Sequence, residues 1–99
     1  MVVFWSHKSL EDLLSIREYI SISNPINGEN FVNELLNSVE YRLEQFPYYG
    51  RKIPELNQEN YREIIYGNYR AMYKIEEEQI SVITIRNSSQ LFSKEWIKD

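Results

Sequence analysis

The chain has 99 residues, 42% of them hydrophobic and 26% charged, and 15 acidic against 11 basic side chains leave a formal net charge of −4. That length predicts one domain over residues 1–99, and the acidic balance excludes indiscriminate nucleic-acid binding, which runs on phosphate neutralisation by Lys and Arg. With no cysteine and His7 as the lone imidazole, disulfides, thiolate zinc sites and histidine metal clusters are excluded, so neither a metal nor a cofactor is expected.

Val2-Val3-Phe4-Trp5 is β-branched and aromatic and predicts a short strand ending at Ser6-His7-Lys8-Ser9. This apolar start is far shorter than a signal-peptide core or a membrane span, so a cytoplasmic location and no membrane contact are expected. Ser9 is placed to cap a helix over about 10–22, in which Leu10, Leu13, Leu14, Ile16 and Ile20 recur at helical spacing while Glu11 and Asp12 suit the positive end of its dipole. Asn24-Pro25 reads as a second start, because Asn caps well and Pro suits the first helical position. Phe31, Val32, Leu35, Leu36, Val39, Leu43 and Phe46 then form one apolar stripe that Pro47 stops. Helices joined so tightly are expected to lie antiparallel.

The segment 47–54, Pro-Tyr-Tyr-Gly-Arg-Lys-Ile-Pro, predicts an ordered loop. Residues 61–75 follow as a β-hairpin, two runs rich in Ile and Tyr around Gly67-Asn68, a pair that tolerates the positive φ of a tight turn. In that register Tyr66 pairs with Tyr69 and Arg70 lies opposite Ile65. Parity then puts Arg70 on the face of Glu63 and Ile65, and Arg62 on the other with Ile64 and Tyr66. Glu76-Glu77-Glu78 predicts a solvated turn, and residues 80–86 a third strand, apolar on both faces as a central strand would be. Ser93 and the residues after it predict one or two helical turns. The fold class is therefore α+β, an N-terminal strand and a helical hairpin packed on a mainly antiparallel sheet.

This order of elements, carried by Trp5-Ser6, Asp12-Leu13, Tyr19-Ile20, Asn24-Pro25, Phe31-Val32, Phe46-Pro-Tyr-Tyr-Gly-Arg51, Pro54-Glu55, Arg62-Glu63, Tyr69-Arg70 and Tyr73, resembles the RelE/ParE superfamily of bacterial toxins over nearly the whole chain. The Asn-Pro start of the long second helix and the Gly50-Arg51 with Pro54-Glu55 pattern look more like the ParE branch. The resemblance implies the toxin of a type II toxin–antitoxin pair, with a cognate antitoxin as partner and DNA gyrase or the ribosome as possible target. It leaves three readings: a ParE-like toxin that binds a protein target, a RelE-like ribosome-dependent messenger-RNA endoribonuclease, and a toxin-derived domain that only binds its antitoxin. Sequence-specific nucleic-acid binding by the chain alone is not expected.

The basic residues are unevenly placed. Residues 1–50 carry three basic and seven acidic side chains, whereas residues 51–99 carry eight of each, so an anionic partner is expected to meet the second half. Arg51, Lys52, Arg62, Arg70 and Arg86 are the candidates for contacting a target or a phosphate. RNA cleavage without a metal needs cations for the transition state and a proton-transfer group. By resemblance Arg70 and Arg62 match basic positions of the RelE branch, but Arg86-Asn87-Ser88-Ser89-Gln90-Leu91-Phe92 departs from the basic residues and late tyrosine or histidine that branch places there, and no catalytic residue is assigned. His7 reads as a surface or capping residue, and the tyrosines chiefly as sheet packing. Leu91, Phe92 and Trp96, with the outer face of the helical hairpin, are the candidates for an antitoxin groove.

Overall fold

The computed structural model describes residues 1–97. β1 (Val2–Trp5) leads into the helical hairpin α1 (His7–Ser21) and α2 (Pro25–Gln45), followed by β2 (Arg51–Lys52), β3 (Tyr61–Tyr66), β4 (Tyr69–Ile75), β5 (Gln79–Asn87) and a single 3-10 turn at Lys94–Trp96. The strands form one mixed sheet in the order β1-β5-β4-β3-β2. β1 pairs parallel with β5, Val2 against Gln79 through Trp5 against Val82, while the remaining pairs are antiparallel.

The helix boundaries differ from expectation at one end. The side chain that caps α1 belongs to Ser6, whose extended backbone lets its Oγ accept from the Ser9 N–H at 3.0 Å. Ser9 lies inside the first turn, so His7 opens the helix instead of preceding it, and Glu11 and Asp12 fall beyond the first turn. α2 starts at Asn24-Pro25 as predicted, with Asn24 accepting from the Asn27 N–H at 3.3 Å. The loop 47–54 likewise contains a strand, since Arg51 and Lys52 pair with Glu63 and Arg62. Two residues are too few to carry an alternating pattern.

Between the helices and the sheet lies a core of Leu13, Ile16, Val32, Leu35, Val39 and Leu43 against Ile64, Ala71, Tyr73, Ile75, Ile80, Val82 and Ile85. Leu36 and Ile20 pack only at its margin, and Leu10, Leu14 and Phe46 are exposed, so the apolar stripes are narrower than their spacing suggests. The hairpin register is the predicted one, Tyr66 against Tyr69 and Ile65 against Arg70. Gly67 takes a φ of 58°, a value that glycine reaches without the Cβ penalty of other residues and that fits the sheet's twist at the first turn position.

β5 runs past the end of β1, which would leave its outer edge open. The start of α1 closes it. The Ser6 N–H donates to the Val82 carbonyl at 3.1 Å and its hydroxyl to the Ile83 carbonyl at 2.8 Å. Farther along, the Asp12 carboxylate accepts the Ile85 N–H at 3.0 Å and the Thr84 hydroxyl. A buried acid thus takes the place of a neighbouring strand. No helix among the described residues is long and apolar enough to cross a membrane.

Candidate functional site

The sheet face opposite the helices gathers most of the candidate residues. Register fixes its composition: Arg51, Glu63, Met72 and Thr84 form one row across four strands, and Ile65, Arg70 and Arg86 form the next. Arg70 and Arg86 are therefore direct cross-strand partners, an arrangement of like charges that is destabilising unless something else engages them.

Arg70 is engaged on every side. Its Nε donates to Glu63 Oε1 at 2.7 Å, and its two terminal nitrogens grip both oxygens of Glu55 at 3.1 and 2.7 Å, a bidentate fork that only arginine geometry allows. Arg51 Nε completes the set by donating to the other Glu63 oxygen at 2.7 Å. The Glu63 side chain is 0% exposed and that of Arg70 7%, so this is a buried ion network in which each charge has its counter-charge. The hydrogen bonds from Arg70 hold the Glu55 carboxyl below its ordinary pKa, and those same bonds raise that of Arg70.

Aromatic rings cover the guanidinium planes. Phe92 lies over Arg70 with its ring centre 5.8 Å from Cζ, and Trp96 over Arg86 at 4.7 Å. The two rings meet edge to face at 5.6 Å. Arg86 Nε donates to Thr84 Oγ1 at 3.1 Å, and Thr84 in turn donates to Asp12, so the ring over Arg86 is linked through two hydrogen bonds to α1. Leu91 stands apart, 92% exposed.

Arg62 serves a different region. It keeps the parity of Ile64, as predicted, and its guanidinium donates to the Gly50 and Glu59 carbonyls at 2.9 Å each, pairs with the Glu59 carboxylate and lies 4.9 Å from the Tyr48 ring centre. Tyr73 helps it hold the same loop, donating to the Pro47 carbonyl at 3.0 Å and accepting the Gly50 N–H at 2.9 Å. A Cβ on Gly50 would lie 2.4 Å from the Glu63 carbonyl oxygen, so the loop can approach β3 this closely only with glycine there. Burial pushes the Tyr73 hydroxyl above its ordinary pKa, which keeps it a neutral structural donor. Lys52 reaches Glu59 at 3.7 Å on the surface. His7 faces solvent beside Glu11.

The structure thus brings Arg51, Arg70, Arg86, Phe92 and Trp96 together and leaves Lys52, Arg62 and Leu91 outside that group. Sequence reasoning missed that Glu55, Glu63 and Asp12 organise the face. Glu55 arrives from a loop whose path no periodicity encodes, although its place in the Pro54-Glu55 pattern was a signal. On the other side of the molecule Leu10, Leu13, Leu14, Arg17, Glu29, Val32 and Asn33 line an outer groove of about 310 Å³ between α1 and α2, at the hairpin face expected to receive an antitoxin.

Residues 3–92 match the family model described as the ParE toxin of the type II toxin–antitoxin system parDE. Among solved structures, a chain of the chromosomal ParDE toxin–antitoxin system from P. aeruginosa superposes with a TM-score of 0.73 at 20% sequence identity, covering 88% of this chain and 95% of that one. No curated protein matches.

Proposed function

Because the chain belongs to the ParE toxin family of type II toxin–antitoxin systems, we propose that it acts in the cytoplasm by binding a protein target such as DNA gyrase, and that a cognate antitoxin neutralises it. The observation that carries this over RNA cleavage is the state of the arginines. Arg51 and Arg70 are committed to Glu55 and Glu63, and Arg62 to Glu59 and two loop carbonyls. A cation that must stabilise a phosphorane-like transition state needs to be aimed at the reacting phosphate. Lys52 and Arg86 likewise meet acceptors of the protein itself, Glu59 and Thr84, and Arg62 and Arg70 lie on opposite faces of one hairpin. Tyr73, which holds the same loop as Arg62, spends its hydroxyl on Pro47 and Gly50.

The outer α1–α2 groove supports the antitoxin half of the reading, since exposed Leu10 and Leu14 flank it and an amphipathic segment that folds on binding needs such a lining. Inducing the chain alone in bacteria tests the whole reading. The expected result is growth arrest with inhibited gyrase supercoiling and intact transcripts. Codon-phased cuts in primer-extension maps would select the endoribonuclease instead, and unaffected growth a domain that only binds its antitoxin.

A further inference from the structure

We propose that the outer edge of β1 is a self-association surface, on which a second copy of this chain pairs antiparallel about a two-fold axis at Phe4 and joins the two five-stranded sheets into one. This surface is the edge of the sheet and neither of its faces, so it is separate from the sites described above and does not depend on the toxin's target.

β1 is an edge strand whose one neighbour is β5. Alternation settles which of its backbone groups face outward. The Ser6 N–H turns inward to the Val82 carbonyl, so the groups of Phe4 and Val2 turn inward as well, and those of Val3 and Trp5 face away from the sheet. Among the described residues nothing hydrogen-bonds to them. The two edges of the sheet differ in this respect. β2, at the far edge, is two residues long and both are charged, Arg51 and Lys52, a composition that discourages edge pairing. β1 is Val-Val-Phe-Trp, with no charge and no proline. Past Trp5 the edge of β5 is closed by Ser6 and Asp12, which leaves β1 itself as the open stretch on that side.

Register and charge identify the occupant. With Val3 of one copy opposite Trp5 of the other, each pair exchanges both of its N–H···O bonds and every outward-facing group of the two strands is satisfied. Two-fold symmetry then sets Phe4 directly against its counterpart as a non-hydrogen-bonded pair, the closer kind, with Val2 diagonal to it. Phe4 is 55% exposed and Val2 69%, while Val3 and Trp5 pack against the core on the opposite face. Residues 2–6 carry no charge, so a strand from an acidic or basic partner finds no counter-charge here, whereas a second β1 offers matching apolar side chains on an isologous contact. Four residues a side bury far less than the about 1,200–2,000 Å² of a standard stable interface, so the dimer is weak and forms as concentration rises.

Sedimentation equilibrium of the full chain from about 10 μM to about 1 mM is expected to show reversible monomer–dimer exchange. Phe4→Lys, at an exposed position, should leave the melting curve in place and weaken dimerisation about tenfold or more, because it removes the aromatic pair and opposes two like charges. Val3→Pro deletes an outward N–H and is tolerated on an edge strand, so it should also be monomeric, and it decides the matter if Phe4→Lys fails to fold. The chain has no cysteine, so single cysteines report the register. Phe4→Cys should give a disulfide-linked dimer on mild oxidation, its Cα atoms lying about 4.5 Å apart. Val2→Cys, whose counterpart lies about 13 Å along the strand, should cross-link at least about tenfold more slowly. A monomer throughout that range, a dimer indifferent to Phe4→Lys and Val3→Pro, or equal cross-linking at positions 2 and 4 overturns the proposal.

Discussion

Replacing Arg70 with alanine removes counter-charges from two carboxylates at once. Glu63, fully buried, would face Arg51 alone, and Glu55 would lose both of its bonds. Losing one partner of a buried ion pair costs about 3–5 kcal/mol, and each kcal/mol moves the midpoint of a domain this size by about 4–8 °C. Arg70→Ala is therefore expected to lower the melting temperature by roughly 15 °C or more, and Arg70→Lys to recover little of it, because an ammonium cannot address two carboxylates with one fork. An unchanged melting curve would show that the network is dispensable. Any loss of toxicity in Arg70→Ala is then read through folding before it is read as a lost contact. Glu55 predicts the pH behaviour. Its folded-state pKa is depressed by Arg70, so its contribution is present above the ordinary carboxylate range and disappears as pH falls through the depressed value. Glu55→Gln should be less stable than the natural chain at neutral pH and should converge with it in acid, below the depressed value, as denaturant unfolding at neutral and at acidic pH will show.

At the scale of elements, burial separates two neighbouring leucines that spacing alone treats alike. Leu35 is 0% exposed at the centre of the core, whereas Leu36 packs at its margin. Leu35→Asp is expected to unfold the domain, since an unpaired buried carboxylate costs several kcal/mol against a total stability of about 5–15 kcal/mol. Leu36→Asp should leave a folded chain with a lowered midpoint by circular dichroism. The sequence was readable wherever a period repeats: α2 from its stripe, β3 and β4 from Gly67-Asn68, and the opposite faces of Arg62 and Arg70 from simple parity. It was silent where a residue's role depends on a distant segment. Ser6 rather than Ser9 caps α1 because β1 fixes the entry of the chain. Met72 is buried on the open face as Ile64 is on the helix face, and alternation cannot say that both faces of this sheet are buried at its centre. Phe92 and Trp96 read as apolar residues near a terminus, and only the neighbouring arginines turn their rings inward.

At the scale of the whole molecule, the parallel pairing of β1 with β5 joins the beginning of the chain to its last strand. Val2 pairs with Gln79 and Trp5 with Val82, and the caps that Ser6 and Asp12 provide also reach to residues 82–85. Such long-range closure is among the slowest steps a small domain can contain, because the loop entropy is spent before the contacts form. During synthesis the first strand therefore has no neighbour to pair with until β5 has been made. A ribosome-held chain stopped after Glu78 lacks β5, the strand that joins β1 to β4, and pulse proteolysis should find it as susceptible as an unfolded chain, whereas the released full chain should resist. A protected fragment at that length would contradict this order of assembly. The arginine face, whose Arg86 lies on β5 opposite Arg70, consequently comes into being only once β5 has been made and paired, which makes capture there by a partner an event that follows closure of the sheet.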